Sequence, residues 1–215
     1  MTKKNLRRGE HTRNEILQAA HALFNKQGYH GTSMRQIAKE SGIALGGLYN
    51  HFASKEEVFQ AIFLEFHPYR QVLPAIAAAQ GESIEQFICD ALDQMIAAMQ
   101  ERPDFMNLMF IEVVEFKSQH TRQLLSVIMP QATPIILNTI ESNRELLRTI
   151  PPLMLMRTFL GLFFAYYLTE TVFAPQAPPE FREKAKDYFV DIFLHGILRQ
   201  PGVSPQSTDH SLETV

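Results

Sequence analysis

Apolar residues recur three and four positions apart along nearly the whole chain, and no stretch alternates apolar and polar residues at a period of two. The first spacing marks one face of an α-helix and the second a half-buried strand. Neither Asn-Gly nor Asp-Gly is present to close a hairpin. The pattern predicts an all-α protein of about nine helices.

Punctuation residues place those helices. Ile16, Leu17, Ala20, Leu23 and Phe24 share one face of a helix over 10–28, which Gly28 ends. Ser33 caps a short helix to Glu40, Gly42 marks a tight turn, and a second short helix follows from Ala44 to Asn50. Ser54-Lys55-Glu56-Glu57 has the form of a capping box. It opens a longer helix that should bend or break at Pro68 and Pro74. Further helices are predicted over 83–100, 104–117, 121–148, 152–173 and 180–199, with Pro130 and Pro134 inside the third. Residues 174–179 form a Pro-rich break, and the polar residues 201–215 read as a frayed tail. The expected division is a head over 10–70, with a helix-turn-helix at 33–52, and a helical body over 71–200.

Composition excludes some classes. With 46% hydrophobic and 20% charged residues, the 215-residue chain can bury a core and is not a disordered polyelectrolyte. The net charge of -3 hides an asymmetry, because residues 1–55 hold nine Lys/Arg against three Asp/Glu. A basic head on an acidic body suggests that one end meets a polyanion, although Lys3, Lys4, Arg7 and Arg8 alone could form a basic tail. One cysteine, Cys89, allows no disulfide within the chain and fits a reducing, cytoplasmic setting. Beside Ile88 and Leu92 it reads as a buried small hydrophobe. The first twenty residues lack the apolar segment of a secretory signal. Arg157 interrupts the apolar stretch Leu153 to Leu168, which falls short of the roughly 18 residues of a membrane span and reads as a core helix.

The chemistry concentrates in residues 33–52. Two short helices meet at Gly42; Ile37, Ala38, Ile43 and Leu48 supply their contacts, and Ala38 permits a close crossing. Such a pair can brace one helix while presenting the other to a DNA groove, although a plain helical hairpin has the same form. The longer run from Thr12 to Phe59 resembles the DNA-binding domain of the TetR/AcrR family. The matching residues are Thr12-Arg13, Ile16-Leu17, Ala20, Leu23-Phe24, Gly28-Tyr29, Thr32-Ser33, Ile37-Ala38, Gly42-Ile43, Leu48-Tyr49, His51-Phe52 and Ser54-Lys55-Glu56-Glu57. Beyond this first quarter of the chain the likeness is one of length and helical character.

Thr32 and Ser33 stand at a helix N-terminus, where amide groups and the helix dipole favour a phosphate. Tyr49 and His51 can donate to phosphate oxygens, and Lys55 can pair with another. The resemblance implies that Tyr49 and Lys55 touch the DNA backbone. Tyr29 and Phe52 read as packing residues. Leu45 stands where the family often has Lys or Arg, so Ala44, Leu45, Gly46 and Gly47 offer methyl contacts and a close backbone approach rather than base-edge hydrogen bonds. Arg35 and Asn50 remain for direct readout, with DNA shape supplying the rest.

The body carries no GxGxxG, Walker, HExxH or CxxC motif, and His67, His120 and His195 are isolated, so no cofactor, metal or catalytic centre is expected. The resemblance implies a ligand cavity there, and abundant Phe and Met suit a small, largely apolar or aromatic effector. Glu112 lies on a helical face with Phe105, Leu108, Met109 and Phe116. It is either a paired or edge carboxylate, or it faces that cavity and favours a cationic ligand. The resemblance also implies a dimer through the last two helices. Candidate contacts are Arg157, Gly161 and Ala165 on one helix and Phe189, Ile192, Phe193, Gly196 and Ile197 on the other. An internal seam between those helices would use the same residues.

The resulting expectation is a homodimeric repressor that binds palindromic double-stranded operator DNA and is released by a small molecule. A ligand-independent DNA-binding protein and a helical enzyme are the alternatives. The lack of any nucleophile–base or metal constellation argues against the enzyme.

Overall fold

The computed structural model describes residues 3–78, 83–173 and 176–198; Arg199, the tail at 201–215 and residues 174–175 of the Pro-rich break lie outside them. The described residues form ten helices: α1 (Lys3–Gln27), α2 (Met34–Glu40), α3 (Leu45–Tyr49), α4 (Lys55–Glu65), α5 (Tyr69–Ala78), α6 (Ile84–Gln100), α7 (Phe105–Glu115), α8 (Gln119–Ser142), α9 (Pro152–Phe173) and α10 (Pro179–Ile197). The all-α expectation holds. The helix beyond Lys55 breaks at Pro68 into α4 and α5, whereas Pro74 stays inside α5. Pro130 and Pro134 are tolerated within α8, which ends at Ser142 rather than near residue 148. α1 begins seven residues before the expected start at residue 10, so the segment holding Lys3, Lys4, Arg7 and Arg8 is helical backbone.

The chain divides into two compact units, residues 1–74 with 97–131, and 75–96 with 132–215. The first unit therefore includes α7 and the first half of α8 as well as the head. Within it, Ile16, Leu17, Ala20, Phe24, Ile37, Ala38, Leu48, Phe52, Val58, Phe59, Ile62 and Phe63 are buried. Those on α1, α2 and α4 lie on one face of each helix, as helical periodicity requires, and Leu48 of α3 and Phe52 after it complete the core. Phe63 stacks on Phe105 of α7 at 6.1 Å, and Phe59 stacks on Phe116 at 4.7 Å. Two glycines close the turns of the head from the left-handed region, Gly28 at φ +76° after α1 and Gly42 at φ +71° between α2 and α3.

The second unit is built around α9 and α10. Phe159 meets Phe193 at 5.9 Å and Tyr166 meets Phe189 at 5.6 Å, over the buried residues Phe163, Val190, Leu194 and Ile197. The end of α10 is tied back by Arg148, whose backbone N–H donates to Ile197 O and whose guanidinium donates to Gly196 O. The expectation that α9 is a core helix does not hold for a single chain. Only Phe163 of α9 is buried, and Leu153, Met154, Leu168, Val172 and Phe173 are exposed. By length and composition α9 is apolar enough to cross a membrane, despite Arg157.

His67, between α4 and α5, packs at 4.8 Å against Phe105 and accepts a hydrogen bond from Tyr69 N through Nδ1. Burial lowers its pKa from 6.5 to about 4. Its neutral form therefore stabilises the fold above pH 6.5, and that contribution is lost as pH falls from 6.5 towards 4. Burial also lowers the pKa of His21, in the same sense. Between pH 7 and pH 5 His67 should cost about 2 kcal/mol of stability. Calorimetry across that range should show the decline, and His67→Gln should flatten it; an equally steep decline in the variant would remove His67 from the account.

Candidate nucleic-acid interface

The head presents α3 on a braced base. Ser33 caps α2 with a complete capping box: its Oγ accepts from Gln36 N at 3.3 Å while its own N–H donates to Gln36 Oε1 at 2.8 Å. Gly42 then turns the chain, and Ile43 N donates to Ala38 O at 3.0 Å, fixing the angle between α2 and α3. Within the five residues of α3 only Leu48 is buried; Leu45 and Gly47 are half-exposed and Gly46 is exposed, as is the preceding Ala44. A Cβ built on Gly46 or Gly47 would meet nothing within 4 Å. The outward face of α3 is thus backbone and small apolar groups.

Around that face, Arg35, Tyr49 and Asn50 are exposed and His51 is half-exposed, and none of the four side chains has a partner among the described residues. Tyr49 is 50% exposed beside the fully buried Leu48, on the opposite side of an amphipathic turn. These residues can donate hydrogen bonds to an incoming polyanion without breaking anything in the fold.

Two of the expected contacts sit differently. Thr32 is buried: its hydroxyl donates to Gly28 O at 2.9 Å and its N–H donates to Tyr29 O at 3.2 Å. It braces the α1–α2 turn, so its side chain is not presented to a phosphate. Lys55 is half-buried, and its Nζ donates to Tyr29 O at 2.6 Å and Thr32 O at 2.7 Å while lying 4.1 Å from the Tyr29 ring centre. Burial lowers its pKa, and nearby Glu115 opposes that shift. One ammonium proton is left over, so Lys55 is first a clamp on the α1–α2 turn. Ser54 caps α4 by accepting from Glu57 N at 3.1 Å, but the Glu57 carboxylate accepts from Ala53 N, one residue before the cap, rather than closing the expected box.

The residues expected to line a ligand cavity are packed within the first unit. Glu112 is fully buried; one carboxylate oxygen meets His120 Nδ1 at 2.8 Å, and the other accepts from Thr121 N at 2.8 Å. It is a structural carboxylate with a histidine partner, and the cationic-ligand reading is corrected. Phe105 and Leu108 are also buried, Phe116 packs between Tyr29, Phe59 and His120, and Met109 is half-buried. A cleft of about 370 Å³ opens beside Phe105 and Leu108, lined also by His21, Phe66, Arg102 and Asp104. Asp104 there is spent on His21, at 2.7 Å, and on Asn25.

Of the residues expected at a dimer seam, Arg157, Gly161 and Ala165 are exposed on α9, and Ile192, 71% exposed, and Gly196 are exposed on α10. Ile197 is buried, and Phe189 and Phe193 are engaged with Tyr166 and Phe159, so these three belong to the α9–α10 seam within one chain. Tyr188, 62% exposed and four residues before Ile192, was not anticipated and lies on the open face. Cys89 is half-exposed rather than buried, and desolvation raises its pKa, opposite to what an activated thiolate needs.

The family model described as "Bacterial regulatory proteins, tetR family" matches residues 16–62. The transcriptional regulator UidR of Escherichia coli K12 is 48% identical over 54 residues, 25% of this chain and 28% of that protein. The transcriptional repressor KstR2 of Mycobacterium tuberculosis is 41% identical over 70 residues, 30% of this chain and 35% of that protein. The chain thus spans about a third or less of the length of these curated relatives. Among solved structures, a tetR family transcription regulator from Shewanella sp. PV-4 superposes with a TM-score of 0.65 at 22% identity, covering 88% of this chain and 99% of that one. The fatty acid degradation regulator FadR of Bacillus halodurans gives 0.65 at 15% identity over 85% and 94%. At these identities the likeness is one of fold.

The glycines of the turn and of α3 separate stability from contact. Gly42→Ala forces a left-handed alanine and should destabilise the protein by about 1 kcal/mol. Gly46→Ala lies in a right-handed helix with open space around it and should raise stability by up to about 1 kcal/mol. If the α3 backbone approaches DNA closely, Gly46→Ala should nonetheless weaken duplex binding. Thermal melts with gel shifts test both; native duplex affinity in Gly46→Ala would remove the close approach.

Proposed function

We propose that the chain, whose residues 16–62 match the model of the TetR family of bacterial regulatory proteins, is a cytoplasmic, homodimeric regulator that binds operator DNA and is released by a small molecule. The observation that carries the reading is the open, unpartnered face of Arg35, Ala44, Leu45, Gly46, Gly47, Tyr49 and Asn50, set on a closed apolar core in a basic segment. Such a face has no structural use, while its groups suit a phosphate backbone and a major groove. Ser33 and His51 flank it, and the remaining proton of Lys55 gives one more donor at its edge. With few base-edge donors on α3, sequence preference rests on Arg35, Asn50, methyl contacts and DNA shape.

A second copy of the chain is the proposed cover for α9 and α10. Leu153, Gly161, Ala165, Leu168 and Val172 of α9 and Tyr188, Ile192 and Gly196 of α10 form exposed stripes at helical spacing. Gly161 and Gly196 have no neighbour within 4 Å of a built Cβ, so another helix could approach closely at both. A four-helix seam of two copies would bury the apolar length of α9. The effector is proposed to be small and largely apolar or aromatic, acting by moving α7 and α4 and so changing the spacing of two reading heads.

The dimer should bind duplexes whose two half-sites lie about one helical turn, or a multiple, apart. Arg35→Ala should weaken operator binding by about 1–3 kcal/mol and relax the sequence preference, with a smaller effect on non-specific duplex across the salt range, because Arg35 is one of the few base-edge donors on this face. Binding-site selection followed by salt titration tests both; a monomer bound to one isolated half-site contradicts the dimer reading.

Gly161→Leu should split the dimer by adding bulk at a close crossing, at a cost of roughly 1–3 kcal/mol, while leaving helical content unchanged. Sedimentation and circular dichroism decide, and a fully dimeric variant with native DNA affinity would place the seam elsewhere.

A further inference from the structure

The α7–α8 corner is built around two charged or ionisable side chains that the DNA-contact face does not use. Glu112 is 0% exposed and His120 is 1% exposed. The two carboxylate oxygens of Glu112 hold His120 Nδ1 and Thr121 N, and its backbone carbonyl accepts from both Phe116 N and Ser118 N. One residue thus grips both sides of the corner. Between those grips, Lys117 at φ +50° and Ser118 at φ +60° are left-handed without being glycine. L side chains hold that conformation only where the surroundings impose it.

What the corner carries is Phe116. Its ring lies 4.7 Å from Phe59 of α4, 5.0 Å from Tyr29 in the α1–α2 turn and 4.8 Å from His120. His120 itself reaches Phe59 at 5.9 Å. Next to Phe116, Glu115 pairs with His30 of the same turn at 2.5 Å. Tyr29 O and Thr32 O are the acceptors of Lys55 Nζ, and Ser33, the cap of α2, follows directly. Few links therefore separate the buried pair from the first residue of the helix-turn-helix.

We propose that the Glu112–His120 pair is a positioning device for the DNA-reading head: it fixes the α7–α8 corner so that Phe116 and Glu115 hold the α1–α2 turn, and through Lys55 set where α2 and α4 begin. This rests on the DNA-binding reading for its effect on affinity, but not for the coupling itself. A buried pair of this kind is a poor source of net stability, which makes a positional role the more economical use of it.

The experiment uses the full chain with Glu112→Gln, His120→Gln and Phe116→Leu, each alone and combined with Lys55→Met. Fluorotyrosine incorporated throughout, with Tyr29 assigned by Tyr29→Phe, reports the turn without DNA. Operator and non-specific duplex affinities are read well below each variant's melting temperature. The proposal expects Glu112→Gln and His120→Gln to shift the Tyr29 resonance and to weaken operator binding by about tenfold or more, with a smaller effect on non-specific duplex. Their effects should not add to that of Lys55→Met, because the residues act in series. A lowered melting temperature with an unmoved Tyr29 resonance, native operator affinity and additivity with Lys55→Met would reduce the pair to a stabilising contact and overturn the proposal. If Glu112→Gln does not fold, His120→Gln, which keeps the carboxylate and its bond from Thr121 N, gives the same decision. If the wild type binds no duplex, the DNA-binding reading fails, while the Tyr29 shift still decides the coupling.

Discussion

Helix α3 has five residues and α2 has seven, each far below the length at which a helix persists alone in water. Both exist because Ile37, Ala38 and Leu48 are pressed into the core made by Ile16, Leu17, Ala20 and Phe24 of α1 and Val58, Phe59 and Ile62 of α4. Every feature of the candidate interface depends on that core. It uses the inward side of α3 completely and leaves the outward side without any intramolecular task. It also needs the two tight turns at Gly28 and Gly42, so the left-handed glycines are as much a part of the interface as the residues that would touch DNA.

The same core extends beyond the head. Phe59 and Phe63 expose their far sides to Phe116 and Phe105, so α7 completes the burial that α4 begins. A boundary drawn near residue 70 follows the chain, but burial follows the rings, and the compact unit therefore takes in residues 97–131. A motion of α7 cannot leave α4 or the α1–α2 turn untouched, since Tyr29, Phe59 and Phe116 form one cluster. This gives a physical route, within the first unit, by which a displacement of α7 would reach the reading head.

Helical spacing, glycines and prolines sufficed to write down the all-α architecture, the capped start of α2, the turn at Gly42 and the break at Pro68, because each follows from local backbone preference. The exposed set around α3 was legible for a related reason, since polar and small residues opposite a buried Leu48 are a periodic signal. What escaped were contacts between residues far apart in the chain. Lys55 looked like a free cation because its acceptors, Tyr29 O and Thr32 O, are backbone carbonyls with no mark in the sequence. His120 looked isolated because its partner lies on the other side of a corner made by two left-handed residues that are not glycines. α9 looked like a core helix because an apolar pattern states only that a helix must be covered, not by which molecule.

The two faces of the α9–α10 pair differ in a way that bears on that last ambiguity. Residues that meet inside one chain, Phe159 with Phe193 and Tyr166 with Phe189, are large rings interlocking at the usual edge-to-face distances. The outer stripe is different in kind: Gly161, Ala165 and Gly196 are small, and they are flanked by Leu153, Leu168, Val172, Tyr188 and Ile192. Small residues weaken a helix that faces water, Gly by about 1 kcal/mol relative to Ala, and give nothing back there. They become favourable where a second backbone comes close, because the flanking large side chains then interlock around the crossing. An exposed apolar stripe on one chain is a liability for aggregation unless it closes on itself. A two-fold pairing would close it, since each copy would then supply the same stripe to the other and leave no apolar edge over.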